Sequence, residues 1–301
     1  MIFHEANSRH LISLVGNLRT KYVTEKLTNI GFKSSSDFYH PSLSLPIDFF
    51  SEDLYFKAPL SPRIIIPTNS QLDILRKILC KGVNDSIINT LHLPYSINAQ
   101  IEQDPLKINH FADQLKMTLE LFETYAPNNF QRINLLIKEI IPLGTNDQLI
   151  RKSKYGRGLS SIYYWGGVFL DTPHNDDSEE SIIQLLMNMA HEAGHQALYA
   201  LQSVDTIVFD ASQSVYSPIR KVDRPILKTI HAMAAISGMM LLCEELLQNN
   251  LWSQRSKEIV HRHYSELRTN MLVGLARLPE TNITELGKYT CRYWYKMALL
   301  P

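Results

Sequence analysis

The 301-residue chain has only three cysteines, Cys80, Cys243 and Cys291, far apart and odd in number. That is no disulfide framework, and without a C-x-x-C pair it is no zinc ribbon either, so a reducing compartment is expected. Neither charge sign is in excess: 30 Lys and Arg balance 30 Asp and Glu, so no global field draws the chain to nucleic acid or an anionic membrane. The opening stretch MIFHEANSRHLISLVGNLRT is too interrupted to be a signal sequence. Elsewhere no uninterrupted apolar run approaches the roughly 18 residues of a membrane span. No repeat and no low-complexity tract occurs. These absences leave an ordinary globular protein, expected in the cytoplasm.

What is present is mostly helical periodicity. Apolar residues recur at three- and four-residue steps over 8–30, 70–81 and about 108–125, and again over 177–203, 224–249, 252–277 and 282–299. Residues 31–70 are rich in Pro, Ser and Asp yet aromatic, and predict an ordered irregular segment. RINLLIKEIIPLG predicts a helix running into a strand. LSSIYYWGGVFLDTP, aromatic and broken by Gly166 and Gly167, predicts a hairpin or bulged strand pair. The expected fold is α+β and mostly helical. An N-terminal helical region, 1–150, would precede a catalytic region, 151–301, with a soft boundary near 144–155.

Chemistry concentrates in SIIQLLMNMAHEAGHQAL. Asp176, Asp177 and Ser178 offer N-caps, and Asp177 with Glu180 has capping-box spacing. From Ile182 to Ala190 nearly every residue is apolar, which predicts a central, buried helix. Onto it the sequence places His191, Glu192 and His195. The histidines, at i and i+4, leave one face and can share a cation, while Glu192 lies about 100° round the helix, near a bound water or ligand. Two imidazoles and a carboxylate in an apolar helix are costly without partners, and a metal supplies them. Ala193, Gly194 and Ala197 are small enough for another element to pack closely.

A third ligand is needed. A zinc peptidase would take it from a later glutamate, Glu244 or Glu245. His231 is the alternative, in the same helix but about 21 Å along the axis from Glu245, so both cannot serve. His231 follows a helix expected to start at Asp223, with Arg224 and Pro225 in its first turn. Arg224 would then project about 10 Å from His231 toward the helix N-terminus. A guanidinium there opposes the helix dipole unless an anion is bound.

These two blocks, LLMNMAHEAGHQAL and YSPIRKVDRPILKTIHAMAAISG, resemble the HExxH-motif family of iron- and 2-oxoglutarate-dependent peptide β-hydroxylases, which modify ribosomally made natural-product precursors. The resemblance covers about residues 135–245. It departs where the family often has His-Gly and this chain has His231-Ala232. It implies His191, His195 and His231 as ligands of Fe(II). The remaining positions would go to 2-oxoglutarate and O2, with Arg224 or Arg220 holding the keto acid's far carboxylate. A peptide would be the substrate, and Glu192 would lie beside the metal rather than act as general base. The competing readings are a zinc metallopeptidase, in which Glu192 activates water, and a non-catalytic metal-bound binding protein.

Other residues carry less. His261 and His263, at i and i+2, point apart and are expected to pack or face solvent. His174 precedes the histidine helix in a loop. Tyr163, Tyr164 and Trp165 could shape a groove but are ordinary core residues too, and YTCRYWYKMALL predicts an amphipathic closing helix.

Overall fold

The computed structural model describes residues 62–68, 101–144, 158–161, 164–171, 178–202, 205–249 and 253–299. The helices expected over 8–30 and 70–81, Cys80, Tyr163, His174 and the caps Asp176 and Asp177 lie outside these residues, as do the side chains of Tyr164 and Trp165. The described residues confirm an α+β, mostly helical fold and fall into two compact units. One holds the residues before Thr118 and 132–171; the other holds 118–131 and 178–299. The main sheet belongs to the first unit.

Two helices, α1 (Pro105–Tyr125) and α2 (Pro127–Leu136), are each divided between the units, since 118–131 belongs to the second, and they lead into β2 (Glu139–Leu143) of the first. The anticipated bulged pair is β3 (Gly158–Ser161) and β4 (Tyr164–Asp171), antiparallel, with a register shift at Ser160/Ser161. Gly166 has φ 79°, a conformation that L side chains resist. A two-residue strand, β1 (Arg63–Ile64), pairs parallel to β2 inside the segment expected to be irregular. The sheet order is β1-β2-β4-β3. Every residue of β2 is buried, including Glu139, whose charge is met by Arg63 at 2.8 Å. Ile101, Ile141, Leu143 and Phe169 form the core on this sheet.

The second unit is built on α3 (Glu179–Gln202), α4 (Ile226–Gln248), α5 (Gln254–Leu275) and α6 (Glu285–Leu299). Each lies within a few residues of its expected span. Ser178 caps α3, its hydroxyl accepting from Ser181 N at 3.3 Å. Glu179 accepts from the Ser253 and Ser256 hydroxyls, which tie the starts of α3 and α5 together. Ser253 also caps α5, and Thr284 caps α6. Helix α4 is long and apolar enough to cross a membrane, but two-thirds of it is buried, as in a core helix.

Helices α3 and α4 run antiparallel, as shown by Met187 against Cys243, Ala190 against Gly238, Gly194 against Ala234 and Tyr199 against His231. Their backbones nearly touch. A Cβ on Gly194 would sit 2.3 Å from the Ala234 carbonyl oxygen, and one on Gly238 would sit 2.3 Å from that of Ala190. The small residues beside the histidines therefore mark a close helix crossing.

One element was not expected. β5 (Ser214–Ser217) and β6 (Val222–Pro225) form a two-stranded hairpin that feeds α4. Asp223, Arg224 and Pro225 are strand residues, so the helix does not start at Asp223. Pro225 is the N-cap, extended at φ −49° and ψ 132°, and α4 begins at Ile226.

Candidate metal centre

His191, His195 and Tyr199 follow one another at four-residue steps along α3, all half-buried, while Glu192, Ala193 and Gly194 between them are buried. This stripe is partly open, as is Ala197 beside it. The Nε2 atoms of His191 and His195 lie 3.1 Å apart. That contact is either an N–H···N hydrogen bond or two lone pairs meeting at one cation. With metal–nitrogen bonds of ~2.0–2.1 Å, two imidazoles on one ion stand about 2.9 Å apart in octahedral and about 3.3 Å in tetrahedral geometry. The observed spacing fits a shared ion and does not choose between them.

Glu192 Oε1 lies 3.9 Å from His191 Nε2, with the carboxylate only 1% exposed. Ligand atoms of His191, Glu192 and His195 all fall within 4.8 Å of one another, the metal-competent group among the described residues. His231 is outside that group but adjoins it: its ring centre is 5.6 Å from that of His195 and 5.0 Å from that of Tyr199. Tyr199 had no assigned place from sequence, although its four-residue step from His195 was the signal for it.

Burial holds all three histidines in the neutral, metal-ready form. It lowers His191 and His231 to about 4, helped by the charges of Arg220 and Lys228 respectively. His195 is pushed well down by burial, then by its two histidine neighbours. The buried Nδ1 of His195 has no hydrogen-bond partner among the described residues. None of the described residues supplies this ring with the carboxylate or carbonyl that commonly orients a metal-bound imidazole.

Three cations border the histidines. Arg220 lies in the exposed hairpin turn, Arg224 is half-buried on β6, and Lys228 is half-buried in the first turn of α4. Burial and Arg220 lower the Arg224 guanidinium, and burial and Arg224 lower Lys228. No carboxylate pairs with any of the three among the described residues. α4 begins with no acidic residue in its first turn and no side-chain cap. Arg224 thus flanks the histidines from a strand, not from the helical turn expected for it.

The two later glutamates are occupied elsewhere. Glu245 accepts from Asn128 N and Nδ2 at 2.8 and 2.9 Å, and from Asn129 N and Nδ2 at 3.0 and 2.7 Å. Glu244 accepts from the Tyr264 hydroxyl at 2.8 Å, and burial raises its carboxyl above the ordinary range. Neither belongs to the metal-competent group. His261 is exposed and His263 buried, so that pair does point apart.

No protein-family model matches the chain, and no curated protein matches it.

Proposed function

We propose that the protein is an iron(II)- and 2-oxoglutarate-dependent oxygenase that hydroxylates a β-carbon in a peptide or protein substrate. The observation that carries this reading is the pairing of neighbouring, neutral imidazoles with a cationic border that no carboxylate among the described residues answers. A peptidase needs no keto-acid anchor and leaves that border unexplained, whereas a dicarboxylate co-substrate accounts for it. His191, His195 and His231 would hold the metal, with Tyr199 packed on the third ring. Bound iron with 2-oxoglutarate and O2 supplies C–H oxidation, releasing succinate and carbon dioxide. Arg224, with Lys228 beside it, holds the far carboxylate of the keto acid, and the close α3–α4 crossing fixes the spacing of the histidines. The free thiols Cys243 and Cys291 suit the reducing cytoplasm.

A zinc peptidase is the second reading, favoured by one observation: the Glu192 carboxylate lies inside the ligand group. Of the third ligands expected for it, both later glutamates are engaged elsewhere, which leaves His231. Anaerobic loading with iron and 2-oxoglutarate, then air, separates the two. Succinate and a peptide product about 16 Da heavier, the mass of the inserted oxygen, are expected. His231→Ala should abolish succinate formation, and Arg224→Ala should raise the KM for 2-oxoglutarate at least about tenfold. Zinc loading with peptide cleavage, or full turnover in both variants, overturns the proposal.

A further inference from the structure

The cationic border is larger than one small acid requires. Arg220, Arg224 and Lys228 come from a turn, a strand and a helix, yet their charges act in succession: Arg220 on His191 and Arg224, Arg224 on Lys228, and Lys228 on His231. Asp223, the nearest carboxylate in sequence, neighbours Arg224 on the strand and so faces the opposite side of the hairpin, where Tyr216 is its cross-strand partner. Among the described residues, therefore, no carboxylate neutralises these three cations. With a divalent cation beside it, the buried Glu192 and a dianionic keto acid still leave the site positive. The three cations also differ in depth. Arg224 and Lys228 are half-buried, whereas Arg220 is exposed at the tip of the hairpin, where Lys221 turns the chain at φ 56°.

We propose that Arg220 is a second anion-binding position, on the rim of the site, that recognises an acidic side chain of the substrate, so that the substrate is an acidic peptide. The inference rests on the oxygenase reading only for assigning the inner carboxylate position to Arg224. A single exposed guanidinium set against a half-buried pair suits a carboxylate arriving from solvent on a flexible chain. Nucleic acid is the weaker partner, because the chain as a whole is uncharged, 30 against 30.

The test uses two capped nine-residue peptides of Gly, Ser and Val, one with a central Asp and one with a central Asn, each carrying an uncharged dye. Their binding to the full chain is read by fluorescence anisotropy, metal-free and with manganese(II) and 2-oxoglutarate. The Asp peptide should bind about tenfold tighter than the Asn peptide at low salt, and the gap should narrow as salt rises. Arg220→Gln should erase the preference, whereas Lys221→Gln, which removes the same charge one residue on, should keep it. Equal binding of the two peptides, an unchanged preference in Arg220→Gln, or tighter binding of a single-stranded oligonucleotide would overturn the inference. If the metal-free chain prefers Asp but manganese and 2-oxoglutarate do not bind, the oxygenase reading fails while the acidic-peptide site stands.

Discussion

The two ends of α4 handle charge in opposite ways. At its C-terminal end Glu245 receives four N–H donors and Glu244 receives one hydroxyl. At its N-terminal end Lys228 and the neighbouring Arg224 and Arg220 receive no carboxylate from the described residues, and His231 stands against two other rings. Within one helix, charge that is answered internally belongs to the architecture, and charge that no described carboxylate answers is free to meet solvent or a ligand. The same rule disqualifies Glu245 as a metal ligand and brings Lys228, which no sequence pattern singled out, into the site.

The sharpest way to break this contrast is at Glu245. Helix α2 starts with Ala126 as its cap and Pro127 in its first position, and alanine has no side-chain oxygen to accept the orphan N–H groups of Asn128 and Asn129. Glu245 supplies that oxygen from α4. Glu245→Ala removes the cap and leaves buried donors unpaired, which should cost about 3 kcal/mol. Thermal unfolding should show a midpoint roughly 6 °C lower or more. Glu245→Gln should fall between, since its amide NH2 meets donors. An unchanged midpoint in Glu245→Ala would return Glu245 to the list of available ligands.

That cap joins residues 116 and 117 positions apart, which is why local patterns left Glu245 open as a ligand. The histidine helix was legible because a continuous apolar run with four-residue spacing fixes both its burial and its open stripe. The Gly194 crossing was legible as a patch of small residues, though not its partner Gly238. The β5–β6 hairpin was hidden for a physical reason. Its strands are four residues each, and Asp-Arg-Pro reads equally as a helix start or as an edge strand ending in the residue that cannot donate. The misreading moved Arg224 by one element, from the first turn of α4 to β6, and the cation whose charge acts on His231 is Lys228.

A smaller effect comes from the histidines, which this environment keeps neutral. His191 and His231 titrate near 4 in the folded chain against about 6.5 when unfolded. Between those values the unfolded chain binds more protons, so stability is fully present above about pH 6.5 and is lost as pH falls toward 4. Allowing for the partial exposure of His191, the metal-free protein should lose about 2 kcal/mol between pH 7 and pH 5. Unfolding in urea at pH 7, 6 and 5 measures this. His231→Gln should flatten the slope, and an equally steep slope in that variant would mean that His231 is not held neutral by its surroundings.

The smallest expected effect separates the two ends of α4 most cleanly. If the cations at the N-terminal end are there for a ligand, removing one relieves repulsion and costs the fold nothing. Arg224→Gln and Lys228→Gln should therefore lie within about 0.5 kcal/mol of wild type, on the neutral or stabilising side. The same variants should lose a response that wild type has. Millimolar 2-oxoglutarate with manganese(II) should raise the unfolding midpoint of wild type through binding to the folded state alone, and should raise that of Arg224→Gln much less. A loss of more than about 1.5 kcal/mol in either variant without ligand would show that the folded chain itself answers these charges, and the contrast with Glu245 would collapse.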